Sequence, residues 1–134
     1  MTQLVDFGVV KAELTGASFM RVMRVLQRSR VFGSPDNVPS VLVLTDQCIY
    51  FGGTETSERK FHKILMSDVL DVGFSGTSFW RCVKVTYSRE KKQKSVFLCP
   101  FDGEPHKPEI NVEEMNELHE LIKKYSRLKD DSPQ

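Results

Sequence analysis

Residues 41–51 read Val-Leu-Val-Leu-Thr-Asp-Gln-Cys-Ile-Tyr-Phe, and this stretch restricts the fold more than any other. Four aliphatic residues run into the polar corner Thr45-Asp46-Gln47, and Cys48, Ile49, Tyr50 and Phe51 follow at once. Aliphatic, β-branched and aromatic residues on both sides of a short polar turn give a tight antiparallel hairpin. Nearly every residue of both strands is apolar, so neither strand has a face to offer to water. The hairpin belongs in the inner wall of a small sheet or barrel.

The rest of the chain supplies more strands and one strongly patterned helix. Residues 4–14 place Phe7, Val10 and Leu14 on one helical face, so a short N-terminal helix is expected. Val10, Ala12 and Leu14 also alternate with Lys11 and Glu13, which leaves a strand open there. Thr15-Gly16-Ala17-Ser18 ends this segment. In residues 19–32, Phe19, Val22, Met23 and Leu26 fit a helix while Val25, Gln27, Ser29 and Val31 alternate as a strand; the turn Gly33-Ser34-Pro35-Asp36-Asn37 that follows favours a long first strand. After the polar loop 52–58, further strands are expected at 59–65, 69–74, 79–87 and 95–101. Gly76-Thr77-Ser78 and the charged tip 89–94 separate the last three; Phe79 and Trp80 beside the first of these turns could dip into a membrane interface, but aromatics at a strand start are more often core. Residues 102–108, rich in Pro and Gly, read as a linker. Asn111 then caps a helix, and Glu114 three residues on completes a capping-box pattern. Met115, Leu118, Ile122 and Tyr125 recur at helical spacing, and Lys123, Lys124 and Arg127 suit the negative end of the helix dipole. The expected organisation is an N-terminal helical extension at 1–18, a domain at 19–126 and a disordered tail at 127–134.

Seven short strands followed by one C-terminal helix define an α+β fold that is mainly β. Such a chain makes a bent sheet or barrel whose open end buries the apolar stripe of the helix. With 134 residues there is enough chain for one domain with its own core. An apolar share of 40% and a charged share of 28% are those of an ordinary soluble protein. Cys48, Cys82 and Cys99 stand singly inside apolar runs, without metal or redox spacing, and read as three buried thiols in a reducing compartment. No apolar run approaches the ~20 residues that cross a bilayer. A soluble cytoplasmic protein is expected, peripheral to a membrane or the cytoskeleton.

Catalytic chemistry finds no foothold. His62, His106 and His119 fall in a strand, a proline-rich loop and a helix, with neither triad nor metal spacing. Gly52-Gly53 lacks the Lys-Ser/Thr step of a phosphate loop. Glu113 and Glu114 form a helical first turn, where the dipole favours acids. A non-enzymatic protein without cofactors is expected.

The order of strands and helix resembles the pleckstrin-homology-like superfamily, and most closely its GRAM, myosin-tail-homology and CARMIL-type members. The residues that carry the likeness are the corner Leu44-Thr45-Asp46 with the aromatic strand Ile49-Tyr50-Phe51, the step Ser67-Asp68-Val69, and the closing helix at 112–125. It spans roughly residues 19–126. The resemblance implies a binding module for phosphoinositides, acidic membranes or protein partners. Lipid-binding members carry several cations around the first hairpin loop. Here residues 33–40 hold only Asp36, so a specific head-group site is not implied.

The remaining functional signal is cationic. The net charge of +1 means that an electrostatic partner must be met by local patches. Arg21, Arg24, Arg28 and Arg30 lie on the first strand, Arg59, Lys60 and Lys63 follow the acidic loop, and Arg89, Lys91, Lys92 and Lys94 crowd one hairpin tip. A solvated surface explains such runs by itself. The functional reading is contact with an acidic phospholipid surface through Arg28, Arg30, Arg59, Lys60 and Lys63, with Lys91, Lys92 and Lys94 as a secondary contact. The alternative is a protein-interaction adaptor on the same scaffold, using the groove between helix and open sheet. Near-zero net charge and the lack of a basic aromatic platform argue against nucleic acid.

Overall fold

The 41–51 stretch forms its hairpin. Strands β3 (Asp36–Thr45) and β4 (Cys48–Gly53) pair antiparallel, with Leu44 opposite Ile49 and Leu42 opposite Phe51. The Thr45 hydroxyl closes the corner by accepting hydrogen bonds from the backbone N–H groups of Gln47 (3.1 Å) and Cys48 (3.0 Å). The Asp46 carboxylate accepts from Ser18, both from its backbone N–H (3.2 Å) and from its hydroxyl (2.8 Å). Those bonds hold the Asp46 carboxyl below its ordinary pKa. In this computed structural model, residues 3–29, 36–53, 60–76, 81–104 and 107–126 are described. The 33–35 turn, the 54–58 loop, the 77–80 turn with Phe79 and Trp80, His106 and the 127–134 tail lie outside them.

Around the hairpin the chain builds β1 (Gln3–Asp6), α1 (Phe7–Leu14), β2 (Met20–Ser29), β5 (Lys60–Leu65), β6 (Val69–Gly76), β7 (Arg81–Arg89), β8 (Lys92–Glu104), β9 (Lys107–Ile110) and α2 (Val112–Ser126). One antiparallel sheet runs in the order β1-β5-β4-β3-β2-β8-β7-β6, and β9 pairs with β8. The seven expected strands are β2 to β8. The N-terminal helix is shorter than residues 4–14, because residues 3–6 pair with β5 as a strand. The expected 102–108 linker is instead the far end of β8 turning into β9, with Phe101 opposite Ile110 and Glu104 opposite Lys107.

The sheet bends over a single core. Met23, Val25, Leu42, Leu44, Ile49, Phe51 and Ile64 from β2–β5 join Val72, Val83, Val85, Val96 and Leu98 from β6–β8 in one buried cluster. The two halves of the sheet therefore face each other, with β2 shared between them through its pairing to both β3 and β8. Met115, Leu118 and Ile122 of α2 are buried in the same cluster, and Tyr125 packs partly buried against it with its ring 5.3 Å from Phe19. On the outer face α1 covers Val43, Cys48 and Tyr50 with Val10 and Leu14.

Two local details depart from the sequence reading. The Asn111 side chain caps α2 by accepting from the Glu114 N–H (2.9 Å), but the Glu114 carboxylate does not reach back to complete the box. It binds Arg21 of β2 instead (2.8 Å), since a guanidinium is a stronger partner than a neutral N–H. Cys82 and Cys99 are not separate thiols. The β7–β8 register places them opposite each other, with Cα atoms 4.6 Å apart, and they are joined as a disulfide. Cys48 remains a buried free thiol.

Two outcomes test this packing. Leu118 has no exposed surface, so Leu118→Ala should cost about 2–5 kcal/mol in chemical denaturation. His62 stacks on Phe51 with ring centroids 5.0 Å apart, and burial pushes its pKa down. The unfolded chain then takes up a proton near pH ~6.5 that the folded state resists. Stability should be full above that pH and decline as pH falls through it, and His62→Phe should flatten the decline in denaturation midpoints.

Candidate functional site

The β7–β8 hairpin is the best defined cationic element. Tyr87 pairs with Lys94, Ser88 with Gln93 and Arg89 with Lys92, leaving Glu90 and Lys91 as a two-residue turn. Both turn residues are left-handed, with φ of 52° and 66°, as a type I′ hairpin turn requires. Asn-Gly is the favoured pair at such a turn. A residue with a Cβ carries a steric cost there of roughly 1–2 kcal/mol. Lys91 and Lys92 are exposed, Arg89 and Lys94 half-buried, and none of the four makes an ion pair with another described residue. The tip gathers four cations against a single carboxylate, Glu90.

The other expected site residues separate. Arg30 and Arg59 lie outside the described residues. Arg28 sits on β2 opposite Phe97 of β8, three residues along that strand from Lys94. Lys60 starts β5 opposite Asp6. Because β3 and β4 intervene, β2 and β5 are three strand spacings apart, about 14 Å. Register also puts the Arg28 backbone five residues, about 17 Å, along β8 from Lys92, so Arg28 groups with neither Lys60 nor the hairpin tip. Arg21 and Arg24 are engaged internally. Arg21 holds Glu114 (2.8 Å) and Glu117 (3.1 Å) of α2, and Arg24 donates to the Gly103 carbonyl (2.7 Å) while lying 4.5 Å from the Phe101 ring centre.

Lys63 is also engaged. Its ammonium lies 2.7 Å and 2.6 Å from the two Glu13 carboxylate oxygens, and the Tyr50 hydroxyl donates to the same carboxylate at 3.1 Å. The Lys63 side chain is only 14% exposed. Lys63 therefore anchors α1 to β5 and offers little charge to an outside ligand. Burial pushes the Tyr50 phenol and the neighbouring Cys48 thiol up, so both are neutral beside this ion pair. A polar cleft of about 170 Å³ opens next to it, with Glu13, Asp46, Cys48 and Tyr50 among its walls. Glu13 was not singled out from the sequence. Fifty positions separate it from Lys63, and no local pattern connects them.

No family model matches the sequence, and no curated protein matches it. Solved structures do. The C-terminal domain of an unknown protein from Leishmania infantum superposes with a TM-score of 0.60 at 14% identity, covering 89% of this chain and 95% of that one. The hSac2 domain from the human phosphoinositide phosphatase Sac2 superposes with a TM-score of 0.59 at 9% identity, covering 91% of this chain and 80% of that one. The likeness is one of fold.

The Glu13–Lys63 pair yields a double-mutant test. Lys63→Met alone leaves a partly buried carboxylate without its cation and should destabilise by about 1–3 kcal/mol. Combining it with Glu13→Leu should recover most of that loss in thermal or urea denaturation, because an apolar pair removes both desolvated charges.

Proposed function

We infer that this chain is a non-catalytic, pleckstrin-homology-like binding module that contacts anionic membrane surfaces with low head-group specificity. The observation that carries this reading is the β7–β8 tip, where exposed Lys91 on the turn and Lys92 beside it make no ion pair with another described residue, and the turn backbone would be more relaxed with Asn-Gly. Strain retained at an exposed position suggests that the side chains there serve something outside the fold. A second support is the fold, a nine-strand antiparallel sheet packed on a C-terminal helix, which superposes on the hSac2 domain from a phosphoinositide phosphatase.

The magnitudes favour a weak, general contact. Each cation near an anionic leaflet contributes about 1 kcal/mol, so a net charge of three at the tip contributes ~3 kcal/mol, about a hundredfold in affinity. Arg28 and Lys60 stand apart from the tip in the sheet order, and Arg30 and Arg59 lie outside the described residues, so the reading rests on the tip. Lys63 is dropped from the lipid-facing set because Glu13 neutralises it.

Vesicle sedimentation separates this reading from the protein-interaction alternative. The chain should bind phosphatidylserine-rich vesicles and not pure phosphatidylcholine. Binding should be lost in several hundred millimolar salt, where the Debye length falls to ~4–5 Å. Lys92→Glu combined with Lys94→Glu should abolish it. Lys91→Gly should weaken it about fivefold by removing one cation. The same change should raise stability by about 1 kcal/mol, because glycine accepts the left-handed backbone. Wild type that ignores phosphatidylserine-rich vesicles at low salt would leave the adaptor reading in its place.

A further inference from the structure

β6 pairs with β7 on one side and, among the described residues, with no strand on the other. An unpaired edge presents a row of N–H and C=O groups that can template another strand, and proteins usually guard it with lysine, proline or a bulge. The bulge between Val69 and Asp71 guards only the first part of β6. From Asp71 to Gly76 the pairing to β7 is regular, and Asp71 is the strand's one charge. Leu70 in the bulge is 49% exposed, while the Phe74 ring, 40% exposed, stacks on His119 of α2 at 4.5 Å and lies beside the Arg81 guanidinium.

We propose that β6 pairs with β6 of a second copy of this chain, antiparallel about a two-fold axis at Val72. A two-fold interface must be self-complementary, each residue facing a partner that faces it in return. With Val72 facing itself, Asp71 of each copy faces Gly73 of the other, inside the regular stretch that begins after the bulge at Leu70. The two Asp71 carboxylates are kept apart.

Charge complementarity selects this occupant over an arbitrary strand. Within one chain Gly73 is the β7 partner of Lys84, and Asp71 is the partner of Thr86, so Asp71, Gly73 and Lys84 share one face of the sheet. Nothing lies within 4 Å of where a Gly73 side chain would start. The incoming Asp71 therefore looks across an empty glycine position to Lys84, two strand spacings or about 10 Å away between Cα atoms. A lysine and an aspartate span that gap with extended side chains. Lys84 is available for it, since its ammonium lies 6.0 Å from the Phe97 ring centre, at the limit of a cation–π contact. By symmetry the Asp71–Lys84 contact forms twice.

Analytical ultracentrifugation of the full chain without lipid, over a range of concentrations, tests the proposal independently of the cationic tip. Wild type should sediment as a dimer. Asp71→Lys places two lysines on either side of Gly73 and should raise the dimer dissociation constant by roughly a hundredfold. Lys84→Asp should do the same, and the two substitutions together should restore the dimer. Asp71 is exposed, and circular dichroism melts would show that each variant folds. Wild type that stays monomeric at the highest concentration reached would overturn the proposal and leave the edge to an extended segment of another protein. A dimer that Asp71→Lys leaves intact would also overturn it.

Discussion

An antiparallel sheet that bends over its own core without closing has a mouth, and the whole structure depends on filling it. β1 and β6 are the end strands of the sheet, and among the described residues no strand pairing joins them. Helix α2 closes the mouth from above β6, β7 and β8 with Met115, Leu118 and Ile122. These three side chains touch the cluster formed by both halves of the sheet, so the helix is the contact through which one half senses the other. Removing its stripe would expose the core on the side that no backbone hydrogen bond can seal. Arg21 strengthens the same attachment from β2, binding Glu114 and Glu117 on the flank of α2 beside its buried stripe. Pairs of this kind at half-exposed positions contribute modestly. Here their greater effect is to fix the angle at which the helix enters.

Where a structural element is encoded by neighbours in sequence, the chain could be read directly. The β3–β4 hairpin, the apolar and basic interleaving of β5, the alternation in β6, the α2 stripe and the Asn111 cap all have their causes within a few residues. The hairpin tip at 89–94 was legible for the same reason, since its cations and its turn are contiguous. What escaped depends on distant partners. Gln3–Asp6 is too short and too polar to announce a strand, and becomes one because β5 offers it an edge. Lys107–Ile110 contains Pro108, which reads as a breaker, yet proline is tolerated in a strand at a sheet edge. Cys82 and Cys99 looked unrelated because their relation is one of register rather than spacing.

The candidate site divides along the same line. Sequence reading grouped cations by their proximity along the chain and treated each as available. Tertiary structure assigns several of them to internal duties. Arg21 and Arg24 tie β2 to α2 and to the end of β8, and Lys63 ties α1 to β5. A cation in a strand has neighbours on two adjacent strands and on any covering helix, so its chance of meeting a carboxylate is high. A cation on a two-residue turn has none of these. The surface charge that remains for a ligand is therefore concentrated where the backbone leaves the sheet.

The position of α2 in the chain has a consequence for biosynthesis. Every strand that lines the core precedes it, and its contacts with β2 bridge 93 and 96 positions of sequence. During translation, which proceeds from the N-terminus, the strands can pair in turn while the apolar interior stays open on one side. The core can be sealed only after Ile122 has left the ribosome. Until then Leu42, Ile49, Phe51 and Leu98 line an unfinished cavity that other hydrophobic surfaces can reach.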